Sequence, residues 1–436
     1  MYHLSKAALP MTMIPRLTRN AVANTSRYSP HDILSQFDDG LLTIKRSLKQ
    51  HRFFMYEEHD TKKLQDDNIT PTIMAPPIKL ATLLQSNRRK SEHHYYWTSP
   101  ITSVAGSLSK EEFQWHKQLY NKINNNSDGD YALLDPRGPS LWMGTSGSGT
   151  QCHYDVANNI VVQLYGTKRI RCYAPIAGVY NLHVYPDAHA KARKSQVDFD
   201  YNMGSDSGGD DASMMQKRYP HYYSNIPKPV LDVTLHPGDS LEIPAFYFHH
   251  VENGHSATEE GDDIPSVSLN IFALSKQMMI AQQIFQKASR PMGRVSTKDD
   301  ISLCMLKALG TTLLRGLNIV DASEETEFIR KYLLRARYTP LDSNKGKGIM
   351  LTRDAYNSNK TTLTDEQTQT INACIERILP DFELLIEDRE KGNNEDDGNS
   401  SKGIVLLVAL HLMELWAVEL VGSSNVANAW DEALSA

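Results

Sequence analysis

His153 and Asp155 stand two residues apart, just before the apolar run Ile160-Val-Val-Gln-Leu164. On a strand, residues i and i+2 project from one face, so an imidazole and a carboxylate would lie side by side. That is two-thirds of the two-histidine, one-carboxylate set that holds non-haem Fe(II) with positions left open. The pair alone is weak, because two polar residues at that spacing also mark an ordinary surface strand. The third ligand should come from a later antiparallel strand, and Phe248-His249-His250 offers it. The turn Pro237-Gly-Asp239 and the strand Leu241-Glu-Ile-Pro244 precede that segment and give it the rigid mounting a metal site requires.

A co-substrate with a second, distant carboxylate needs a buried cation away from the metal. Lys168 follows a turn at Gly166, and Thr150 lies three residues before His153; together they supply a charge and a hydroxyl donor. Residues 251–275 contain no Lys or Arg, which leaves Lys168 as the natural anchor. Asn159 and Asn270 fall in apolar strands, where an amide needs a partner. An aromatic side chain should line the pocket; Tyr95 and Tyr96 both qualify, and they point to opposite faces.

The elements that position these residues are short strands. Residues 93–97, 141–143, 160–164, 168–174, 230–235, 241–244, 246–251 and 266–272 read as strands separated by turn signals, the pattern of a sandwich or barrel. Helical spacing is expected over 31–50, 78–86 and 110–123, with Ser109 as a cap, and a short strand over 52–57. Residues 204–213 and 255–265 are acidic and read as flexible loops. Beyond 275 the spacing turns helical, over 275–289, 300–317, 324–337 and 365–388, the last reading as one long helix with an end at Pro380 as the alternative. Residues 391–402 read as a polar loop, and 403–421 as a long apolar helix. His411, Glu414 and Glu419 inside that helix argue for a buried core or dimer helix and against a membrane span.

The domain plan is a tail over 1–31, a mainly β domain over 32–275 and a helical region over 276–436. The tail is basic before Asp32, which leaves a transit peptide, and a mitochondrial address, as the alternative to a disordered segment. With a net charge of -6 there is no global basic footprint for nucleic acid. Four scattered cysteines without Cys-x-x-Cys argue against a disulfide framework and for a reducing compartment, cytoplasm or nucleus.

At the level of motifs the chain resembles the JmjC/cupin-8 class of Fe(II)- and 2-oxoglutarate-dependent oxygenases, in particular the small JmjC hydroxylases. The matching segments are Leu141-Trp-Met-Gly144, Thr150 to Lys168, Ser195-Gln-Val-Asp198, Pro237 to Val251 and Ser268-Leu-Asn-Ile-Phe272. The resemblance implies a double-stranded β-helix, a jelly-roll or cupin barrel, with flanking N-terminal helices and a helical C-terminal region. It implies His153, Asp155 and His249 as iron ligands, with His250 facing away. It assigns Thr150 and Lys168 to the far carboxylate of 2-oxoglutarate, places Asn159 and Asn270 close to iron and co-substrate, and leaves Tyr96 or Tyr95 against the pocket. Phe272 departs from the pattern, since several relatives have Trp there. The implied activity is hydroxylation of a protein side chain; the alternatives are a tRNA-base hydroxylase of the wybutosine type and a demethylase-like or non-enzymatic JmjC protein. If the acidic stretches line the mouth they favour a basic polypeptide over tRNA; Lys191, Lys194, Lys217 and Arg218 lining it would reverse that. A homodimer through the C-terminal helices is a further expectation, and no membrane partner is expected.

Overall fold

The structure is a computed structural model of the chain. It describes residues 15–20, 45–48, 73–74, 93–100, 138–189, 191–197, 199, 209–254, 266–292, 299–318, 320–321, 323–339, 362–385, 395–422 and 425–435. The strands are β1 Arg16–Thr18, β2 Lys45–Leu48, β3 Ile73–Met74, β4 His93–Pro100, β5 Ser140–Gly144, β6 Gly149–Tyr154, β7 Ala157–Tyr165, β8 Lys168–Tyr173, β9 Leu231–Leu235, β10 Ser240–Ile243, β11 Phe248–Asn253 and β12 Ser266–Leu274.

Two antiparallel sheets result. The larger runs β1-β10-β7-β12-β5-β4-β2-β3 and the smaller β6-β11-β8-β9. From β5 to β12 the chain alternates between the sheets, except that β8 and β9 share one. This is the double-stranded β-helix, or jelly roll. β7 lies between β10 and β12, which explains why it is buried from Asn158 to Leu164. β12 is two-faced. Val267, Leu269 and Ile271 occupy one face, and Ser266, Ser268 and Asn270 turn toward the smaller sheet. The β7–β8 turn has its left-handed residue at Gly166, with φ +64°.

The helices are α1 Pro175–Tyr180, α2 Gly209–Arg218, α3 Pro220–Ser224, α4 Lys276–Met292, α5 Asp299–Leu317, α6 Glu325–Phe328, α7 Asp365–Leu384, α8 Glu395–Val421 and α9 Val426–Ser435. A wider π-wound segment, Ile329–Tyr338, continues α6. The C-terminal helices bury the outer face of the smaller sheet: Cys152, Tyr154, Tyr173 and Phe248 share one hydrophobic core with Leu306, Ile378, Leu407 and Trp430. One helix, Ser400–Val421, is long and apolar enough to cross a membrane, but 67% of its most apolar window is buried inside the protein. Residues 403–421, offered above as a core or dimer helix, therefore pack largely within their own chain.

Several expectations need correction. Of the span 31–50, residues 45–48 are a strand paired with β4, because the register of that sheet edge overrides local spacing. Within the expected tail, Arg16–Thr18 pairs with β10 and caps an otherwise open sheet edge. Asp239 fixes that end by accepting from the Asn20 amide and the Arg19 guanidinium. Residues 209–213 begin helix α2, and α8 starts at Glu395, inside the expected polar loop. α7 runs on through the exposed Pro380, as the single-helix reading of 365–388 expects, but stops at Leu384; Lys287 pins the residue after the proline, Asp381, at 2.6 Å. The expected elements over 52–57, 78–86 and 110–123 and the acidic stretch 255–265 lie outside the described residues, as do 204–208.

Candidate metal centre

β6 and β11 are neighbours in the smaller sheet, and their register places His249 directly opposite His153. Directly opposed residues share a face, so the two imidazoles meet inside the barrel with ring centroids 4.3 Å apart. Asp155, the first residue after β6, brings its carboxylate between them, 3.8 Å from His153 Nε2 and 3.6 Å from His249 Nε2. The three ligand atoms lie within 4.8 Å of one another, and among the described residues no other group of three His, Cys, Asp or Glu does so.

The hydrogen bonds fix which nitrogen is offered. His153 Nδ1 donates to the Gln151 carbonyl at 2.8 Å, and His249 Nδ1 to the Tyr247 carbonyl at 3.2 Å. Both Nε2 atoms are left with lone pairs facing Asp155, the tautomer a metal requires. Burial, reinforced by His249 and opposed by Asp155, pushes the His153 imidazole down to about 3. It is therefore neutral at physiological pH. His250 turns to the opposite face, where Phe199 stacks on it and Glu252 lies 3.4 Å away.

Lys168 opens β8 and is buried, and it bonds Ser268 Oγ at 2.5 Å. Among the described residues no carboxylate lies within ion-pair range of it. Burial alone pulls its ammonium down to about 7. Ser268 passes the contact on to Asn270 at 3.3 Å, and Asn270 to Asn159 at 3.3 Å. Tyr96, not Tyr95, is the buried tyrosine and hydrogen-bonds Thr150. The residues named from sequence are thus joined into two short chains, Lys168–Ser268–Asn270–Asn159 and Tyr96–Thr150.

Sequence reasoning missed Ser268 as the partner of Lys168. The signal was present: Ser266, Ser268 and Asn270 alternate with apolar residues, which marks a polar inner face. Trp142 was also missed. It pairs across the strands with Ser268 and meets Tyr96 edge-on at 5.7 Å. Its indole nitrogen is buried with no partner among the described residues, and so are Gln163 Oε1 and Asn253 Oδ1, whose residues pair with Ser268 and Lys168. The Trp142 indole N–H and the unneutralised Lys168 ammonium are donors that an anionic ligand would satisfy, whereas the two amide oxygens are acceptors and would need a donor such as water.

The family model described as the cupin-like domain matches residues 36–272, more than half of the chain. The chain belongs to the cupin-like domain family. This cupin-like chain is also similar to JmjC domain-containing protein F of Dictyostelium discoideum, at 27% identity over 126 residues, 26% of this chain and 24% of that one. Among solved structures it aligns with Escherichia coli ycfD at 10% identity and a TM-score of 0.30, covering 84% of this chain and 64% of that chain. It aligns also with YcfD, a ribosomal oxygenase from Escherichia coli in complex with cobalt and 2-oxoglutarate, at 12% identity and a TM-score of 0.30, covering 65% and 55%. The cupin-like chain thus spans about a quarter of that curated relative and less than two-thirds of either structure.

Proposed function

We propose that this cupin-like protein is an Fe(II)- and 2-oxoglutarate-dependent dioxygenase that hydroxylates a protein side chain. The observation that carries the reading is the pairing, inside one barrel, of a two-histidine, one-carboxylate cluster with a buried lysine that has no counter-ion among the described residues. Two carbonyl-locked imidazoles and a carboxylate form a donor set that suits ferrous iron. When bound, iron and 2-oxoglutarate supply an oxidative decarboxylation in which O2 delivers one oxygen atom to succinate and one to the substrate.

The chain's own residues do the rest. His153, Asp155 and His249 would hold the metal by one edge. Lys168 would draw the far carboxylate of 2-oxoglutarate by charge, with Tyr96 and Thr150 adding hydroxyl donors. Asn159 and Asn270 would orient the near end of the co-substrate. The apolar plug of Val161, Ile170, Cys172, Leu241 and Ile243 closes the barrel behind them and keeps water away.

A net charge of -6 supports a polypeptide substrate over a polyanion. One observation favours the second reading, a tRNA base. Lys194 forms a backbone bridge to His153, and its charge reaches that imidazole, so a cation stands beside the metal centre. All four cysteines are free, which supports the cytoplasm or nucleus as the compartment. Mass spectrometry of protein and tRNA from cells with and without the gene tests the proposal. A one-oxygen mass gain on a peptide, lost with the gene, is expected; a gain confined to tRNA would replace the substrate class.

A further inference from the structure

We infer that the cavity between the smaller sheet and helices α4 and α8 is a binding site for a small aromatic or branched aliphatic carboxylate. The cavity has a volume of about 220 Å³. An apolar cavity of roughly 150 Å³ is enough for benzene, so this one takes a ligand of about ten ring atoms. Its walls are apolar, with Met278 and Phe285 from α4, Leu407 from α8 and Phe246 from the turn before β11.

The polar end holds more donors than acceptors. Tyr154 contributes a phenol whose hydroxyl has no hydrogen-bond partner among the described residues, and Arg193 a guanidinium with no carboxylate in range among them. The one carboxylate in the lining, Asp187, is already engaged by His411 Nδ1. A phenol and a permanently charged, solvent-reaching guanidinium at the mouth of an apolar slot suit a carboxylate joined to an apolar body.

Backbone geometry points to the same place. Five non-glycine residues among those described have left-handed backbone, and two of them, Arg193 at φ 70° and Phe246 at φ 68°, line this cavity. Such conformations cost about 1 kcal/mol or more and collect where a chain is shaped around a ligand. The site is distinct from the metal centre, because Tyr154 projects from the face of β6 opposite to His153.

Calorimetric titration of the full chain with 2-naphthoate tests the inference. Saturable binding is expected, weakened about tenfold by Arg193→Ala, which loses one charge-assisted contact. Arg193 is exposed, so that variant keeps its fold. Ala281→Phe, which places a ring in the slot, should abolish binding, and 2-naphthamide should bind more weakly than the acid. No saturable binding to the unmodified chain would overturn the site. So would affinity unchanged in both variants, or displacement of 2-naphthoate by 2-oxoglutarate.

Discussion

Lys168 is the residue on which the co-substrate reading turns, and its chemistry makes a pH prediction. A buried ammonium held down to about 7 is charged below that pH and mostly neutral above it. A bound carboxylate stabilises the charged form and raises the folded-state value. 2-Oxoglutarate affinity should therefore be flat below pH 7 and fall by up to about tenfold per unit above it, with proton uptake on binding. Titration at about pH 8 in buffers of different ionisation enthalpy measures that uptake; affinity independent of pH would place the anchor elsewhere. Lys168→Ala should raise the KM for 2-oxoglutarate by at least about tenfold, read from initial rates. The same-face placement of His153 and Asp155, and the position of Lys168 after a turn, were legible in the sequence because they depend on strand periodicity and turn position, while His249 over His250 came from the family resemblance. The choice of Tyr96 over Tyr95 was not, since it depends on where β4 pairs with β5.

Register is what local spacing could not supply. Lys45–Leu48 sits in a span with helical spacing, yet it pairs with β4 over a long sequence separation, and the sheet edge decides. The strands of the barrel were legible because turns such as Pro237-Gly-Asp239 punctuate them. The start of α8 at Glu395 was obscured by polar composition, because charged and amide side chains with a Gly read locally as a loop. One close approach in this helix makes a prediction. A Cβ on Gly403 would lie 2.3 Å from the Ile176 backbone nitrogen, so α8 rests directly on the start of α1. Gly403→Val should drive the helix off that contact and destabilise the protein by about 1–3 kcal/mol, visible as a lower thermal midpoint. An unchanged midpoint would mean that α1 can shift without loss.

The barrel and the C-terminal helices share one hydrophobic core. The helices cover Tyr154 and Phe248, which immediately neighbour the metal ligands on the other face of the smaller sheet. A buried ion pair, Arg337 with Glu414 at 2.7 Å, ties the π-wound segment to α8, and Glu414 also accepts from the Asp187 amide. Burial pushes Glu414 up, and Arg337 opposes it. Arg337→Met would strand that carboxylate and cost about 3–5 kcal/mol of stability, measured by denaturant unfolding. A chain ending at 292 should expose the same apolar face, bind hydrophobic dye and aggregate; a stable, dye-free product would separate the two regions. The central claim is that the molecule uses its triad to consume 2-oxoglutarate, and succinate formation tests it most directly. The purified full chain with Fe(II), 2-oxoglutarate and O2 should produce succinate, and the His249→Ala variant should produce none above the protein-free background. Equal succinate from both proteins, or none from the unmodified chain, would contradict it.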